Sequence, residues 1–126
     1  MADFEKQVKY WKEEADSSWD TAQYLLQGGR TDFGLFAAHL AVEQAVKAHV
    51  VRATSDFPPR IHNLLSLAQI ASLTLSPEHE RTMAELNIFN IRGRYRDTPV
   101  KRVSAEEAQA IFSRAKEVFQ WLMKQL

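Results

Sequence analysis

Apolar residues recur at intervals of three and four over two long stretches of this chain, and that spacing admits little besides long amphipathic helices. Phe4, Val8, Trp11, Ala15, Trp19, Ala22 and Leu26 form the first stripe. Ala108, Ile111, Phe112, Ala115, Val118, Phe119 and Leu122 form the second, and it is the more regular of the two. Asp3 stands where a cap belongs, with Glu5 in the first turn, and Gly28-Gly29 supplies the stop. At about 1.5 Å per residue the first helix is a rod of roughly 36 Å, long for a small domain.

The middle of the chain reads as further helices separated by clear breaks. A second helix is expected from Thr31 or Asp32, either of which can cap, with Phe33, Phe36, Ala37, Leu40, Gln44, Lys47 and Val51 on a face that starts apolar and turns polar. It fades at Thr54-Ser55-Asp56, and Pro58-Pro59 forbid continuation. A short helix follows with Ile61, Leu64, Leu65, Leu67 and Ala68 as its apolar content. Ser76-Pro77 restarts the chain into a fourth, carrying Met83, Leu86, Phe89 and Asn90, and Ser104 with Glu107 is a capping box for the last. No segment reads as a strand. The fold class expected is all-α: an up-and-down antiparallel four-helix bundle with an additional short helix, one domain over residues 1–126.

Sixteen basic and sixteen acidic residues cancel, which argues against a general nucleic-acid coat protein. Their placement is uneven. Six acidic residues face three lysines between Asp3 and Asp20, whereas Arg92, Arg94, Arg96, Lys101 and Arg102 face Asp97 alone. An anion-binding role therefore belongs to the second half. There is no cysteine, hence no disulfide or thiolate chemistry, and no apolar run near 18 residues to span a membrane. The N-terminus lacks the pattern of a secretory signal, so the expected location is the cytoplasm.

The cationic stretch runs Asn-Ile-Phe-Asn-Ile-Arg-Gly-Arg-Tyr-Arg-Asp from Asn87 to Asp97. Asn87, Asn90 and Arg94 share one helical face, Gly93 loosens the backbone, and Tyr95 offers an aromatic face with a polar tip. Arg92, Arg94 and Arg96 suit phosphate; the alternative is solvated surface charge. Glu43 precedes Lys47 by one turn, the favoured order for an ion pair of ~0.2–0.5 kcal/mol on an open surface. Yet Glu43 also lies one turn beyond Phe36 and Leu40, where a charged pair needs partners that the arginines can supply. His62, just before the short helix, is placed to bind an anion, to act as acid or base near neutral pH, or merely to cap. His39 and Glu43 share a turn without a third ligand in view, so a polar pair is expected there rather than a metal. Trp11 and Trp19 are expected in the core, and Trp121, one residue off its stripe, at an interface between subunits.

Four segments in register resemble the HEPN family, the helical domains named for higher eukaryotes and prokaryotes nucleotide-binding. These are Trp11 to Leu26, the Phe36 to Ala48 run with its Glu43 and Lys47-Ala48, Ile61-His62-Asn63-Leu64 with Leu67, and Arg94-Tyr95-Arg96-Asp97. The resemblance implies a homodimeric bundle, often partnered by a small nucleotidyltransferase in a toxin–antitoxin pair; no cofactor is expected. It also implies, for many members, metal-independent ribonuclease activity through an Arg-x(4–6)-His motif. No histidine follows His79, so Arg92, Arg94, Arg96 and Arg102 lack that partner, and Arg60 stands too close to His62. The function expected is therefore recognition of a nucleotide, RNA or nucleotidyltransferase, with Arg92, Arg94, Tyr95, Arg96, Glu43, Lys47, His62 and Asn90 as ligand-binding residues. The alternatives are a ribonuclease using His62 as a non-standard acid–base group, and a structural dimerising adaptor.

Overall fold

The computed structural model describes residues 3–94 and 102–126, with side chains described for 3–90 and 102–126. Five helices and no strand occur among them: α1 (Phe4–Gln27), α2 (Thr31–Thr54), α3 (Leu64–Ile70), α4 (Pro77–Arg94) and α5 (Ala105–Lys124).

The boundaries follow local chemistry. Asp3 accepts from the Lys6 backbone N–H, Asn63 from Leu65 and Ser66, Ser76 from His79, and Ser104 from Glu107, so four helices begin on a side-chain cap. α2 is the exception. Neither Thr31 nor Asp32 caps it; Arg30 occupies the cap position without a side-chain bond, and Thr31 is already helical. The tight turn leaves no room for a longer entry: the Arg30 N–H donates to the Leu25 carbonyl, and Gly29 sits at φ +79°, the left-handed region glycine occupies freely. Gly34, one turn on, faces Leu26 so closely that a Cβ would stand 2.6 Å from its Cγ.

Side-chain contacts fix the directions of the long helices. The three-residue connection Gly28-Gly29-Arg30 folds α2 back against α1, and Ser18 donates to Gln44 across that seam. The C-terminal halves of α2 and α5 run together, since His49 Nε2 donates to the Leu122 carbonyl at 2.9 Å and Arg52 to that of Gln125 at 2.8 Å. His79 near the start of α4 packs on Trp121 near the end of α5, and Arg114 bridges to Glu85 at 2.8 Å. The long helices therefore alternate up, down, up, down, with α3 as the short addition.

The apolar stripe of α5 is buried at every named position, and that of α1 at Val8, Ala15, Trp19 and Ala22, with Phe4, Trp11 and Leu26 half-buried. Trp19 stacks on Phe112 and Phe119 with ring centroids 4.5 and 4.6 Å apart. Such burial is worth about 1.5–3 kcal/mol per large apolar side chain. α2 departs from expectation. It touches all four other helices, and from Leu35 to Val51 only Phe36, Leu40 and Gln44 escape full burial. Instead of one face fading from apolar to polar, it has a narrow half-exposed stripe of Phe36, Leu40 and Gln44 and is buried over the rest of its circumference, mostly through small apolar residues. Phe33, expected on the inner face, is exposed. Ile61 likewise falls outside the short helix, which starts at Leu64. Trp11 joins a satellite cluster with Val8, Ala48 and Val51, and Trp121 is half-buried against the main core.

Candidate functional site

The central helix carries three polar side chains inward at one-turn intervals, His39, Glu43 and Lys47, exposed by only 1, 3 and 6 %. Charged groups in such a place require partners. The Lys47 ammonium donates to Glu43 Oε2 at 3.0 Å and lies 5.5 Å from the Trp11 ring centroid. The surface pair considered from sequence is thus corrected: the pair is buried because it lies off the half-exposed stripe of Phe36, Leu40 and Gln44, on the part of α2 that its neighbours cover.

The second partner of Glu43 comes from the segment joining α2 to α3. His62 Nδ1 approaches Glu43 Oε1 and Oε2 at 3.1 and 3.2 Å, while the His62 side chain stays 41 % exposed. His62 does not cap α3; Asn63 does. Asn63 also accepts from Asn87 Nδ2 at 3.3 Å, which ties α4 into the same network.

Hydrogen-bond accounting sets the proton positions. Asn87 Oδ1 accepts from the Leu64 N–H at 3.0 Å, so this atom is the oxygen, and His39 Nε2, 3.3 Å away, must donate to it. His39 Nδ1 then carries a lone pair, has no hydrogen bond among the described residues, and faces Glu43 Oε1 at 3.8 Å. Burial pushes the His39 pKa below the ordinary imidazole value, against the opposing pull of Glu43, Asn87 and the His62 backbone. On His62 the carboxylate can only accept, so Nδ1 donates to Glu43.

Of the residues singled out from sequence, the structure brings together Glu43, Lys47 and His62. Asn90 is half-buried one turn beyond Asn87 on α4. The backbone of Arg92 and Arg94 belongs to the last turn of α4, and their side chains, with Tyr95 and Arg96 entirely, lie outside the described residues. Sequence reasoning missed Asn63 and Trp11 as parts of the centre. Asn63 was legible as a cap before an apolar run; Trp11 carried no signal beyond its place in a core stripe. Among the described residues no group of three or more His, Asp or Glu side chains could hold a metal ion. No helix is long and apolar enough to cross a membrane. A groove of about 230 Å³ between the end of α1 and the start of α5, lined by Gln23, Leu26, Gln109 and Lys116 among others, shares no residue with this centre.

The family model of the HEPN domain matches residues 8–126. The chain belongs to the HEPN family. The crystal structure of an archaeal HEPN homologue superposes with a TM-score of 0.70, covering 94 % of this chain and 96 % of that one at 21 % identity. At that identity the likeness speaks for the fold. No functionally curated protein is significantly similar in sequence. The matched span contains the whole His39–Glu43–Lys47–His62–Asn87 network, which is accordingly a feature of the HEPN bundle of this chain.

Proposed function

We propose that this HEPN domain is a homodimeric binding module that recognises a nucleotide or RNA, and that it works beside a small nucleotidyltransferase as one half of a toxin–antitoxin pair. The observation that carries the reading is the His62–Glu43–Lys47 centre, in which a buried carboxylate fixes a half-exposed imidazole beside the α4 helix that leads into the arginine stretch. Arg92, Arg94 and Arg96 supply fork-shaped cations for phosphate, and Tyr95 supplies a stacking face. Asn90 adds an amide on the same helix. The excess of positive charge from Arg92 to Arg102 supports an anionic ligand.

Fluorescence anisotropy with a labelled single-stranded RNA and with ATP tests this directly. The Arg94→Ala/Arg96→Ala variant is expected to lose most of its affinity while its thermal midpoint stays put. Affinity equal to that of the unaltered protein refutes the assignment. Reading the adjacent genes for a small nucleotidyltransferase, and co-expressing such a protein with this one before size-exclusion chromatography, tests the pairing; no such gene, or separate elution, refutes it.

A further inference from the structure

The groove between the end of α1 and the start of α5 gathers polar groups that the bundle itself does not use. Gln23 and Gln27 stand one turn apart on α1, and Gln109, Ser113 and Lys116 follow each other at four and three on α5. Each set therefore lies on one helical face, and the two faces line the groove together. Among the described residues none of these five side chains has a hydrogen-bond or ion-pair partner. Leu26 and Phe112 supply the apolar part of the lining, and Phe112 is fixed there by its stack on Trp19 at 4.5 Å.

The chemistry of the lining selects its ligand. Lys116 is the only charged side chain among the described lining residues, so the groove offers one positive charge to a single negative one. A phosphate dianion favours the fork of an arginine, which is absent from the described lining. Each carboxamide offers both an N–H donor and a C=O acceptor, and the serine hydroxyl also does both. A ligand made only of acceptors leaves the carboxamide oxygens unmet, whereas a peptide backbone alternates N–H with C=O and meets them. Its free end adds the single carboxylate. The groove, at about 230 Å³, is smaller than the roughly 300–1,000 Å³ typical of small-molecule sites, so it holds a short end rather than a length of chain.

We infer that this groove is a second binding site, which takes the carboxyl end of a peptide chain finishing in an apolar residue. The carboxylate accepts from the Lys116 ammonium and the Ser113 hydroxyl, the last peptide groups pair with Gln23, Gln27 and Gln109, and the terminal side chain rests on Leu26 and Phe112. The site shares no residue with the His62–Glu43–Lys47 centre, and it stands whether or not a nucleotide or RNA binds elsewhere.

The test titrates the full, isotope-labelled chain with the peptide acetyl-Ala-Ala-Leu as its free acid, with the same peptide as its C-terminal amide, and with inorganic phosphate. Heteronuclear NMR reads the side-chain NH2 signals of Gln23, Gln27 and Gln109. The free acid is expected to shift them saturably in the millimolar range, the amide to bind about tenfold more weakly or worse, and phosphate to leave them in place. Lys116 is exposed, so Lys116→Met should keep its thermal midpoint while binding the free acid about tenfold more weakly and the amide as before. Signals unmoved by the free acid overturn the inference. Equal affinity for acid and amide, the same shifts with phosphate, or undiminished binding of the free acid by Lys116→Met also overturns it.

Discussion

Replacing Glu43 by glutamine keeps the shape of the side chain and removes its charge from beneath two donors. Lys47, 6 % exposed, then holds a buried ammonium with no counter-charge among the described residues. Breaking a buried pair from one side costs about 3–5 kcal/mol. Two features pull the value to the low end. Lys47 keeps its position against Trp11, worth about 0.5–2 kcal/mol. His62, half-exposed, exchanges Glu43 for water at little loss. The expected cost is therefore about 3 kcal/mol, or about 12 °C in the melting midpoint for a chain of this size. The companion variant Glu43→Leu/Lys47→Met removes both charges together and should fall within about 1 kcal/mol of the parent, since an apolar pair of similar volume incurs no desolvation. Urea unfolding followed by circular dichroism reads both numbers. A loss under about 1 kcal/mol for Glu43→Gln refutes the buried-pair argument, and so does a double variant as unstable as the single.

Gly34→Ala should cost about 1–3 kcal/mol in a thermal melt, because its Cβ would meet the Leu26 side chain at 2.6 Å. Gly29→Ala, with open space around it but φ +79°, should cost about 1 kcal/mol through backbone strain alone. Ser104→Ala should lose about 1 kcal/mol, the cap of α5, measurable as a lower urea midpoint. His39 and His49 both have pKa values lowered, chiefly by burial. Above about pH 6.5 they are neutral folded or unfolded; as pH falls below it the unfolded chain takes up protons that the folded one refuses. Stability should therefore decline from about pH 6.5 downwards, by up to about 1.4 kcal/mol per pH unit for each histidine, and His49→Gln should flatten that slope by about one proton. A slope unchanged in His49→Gln contradicts the assignment.

The helices of this fold were legible where one local signal sufficed. The stripes of α1 and α5 and the caps at Asp3, Ser76 and Ser104 depend on residues within a turn of one another, and they stand where the sequence puts them. α2 was misread because periodicity reports one buried face, and a helix touched by four neighbours leaves only a narrow half-exposed stripe to contrast with it. The site was half legible for the same reason. Glu43 and Lys47 announce themselves by spacing, but their burial depends on α1, α3 and α4 together. His62 reaches Glu43 across a 19-residue separation that no local pattern encodes. The arginine stretch, the plainest feature of the sequence, falls largely outside the described residues.

The enclosure of α2 has a consequence for how the molecule opens. A rod buried over most of its circumference exchanges its amide protons only when the whole bundle comes apart, whereas the segment leading from α2 into α3, exposed over most of its length, is held mainly by side-chain bonds through Asn63, Asn87 and His62. The centre therefore straddles two levels of protection. Glu43, Lys47 and His39 ride on the last element to open, and His62 on one of the first. Excursions of the α2–α3 segment lift the imidazole off the carboxylate while the bundle stays folded, so deuterium should enter around His62 long before it enters around Glu43.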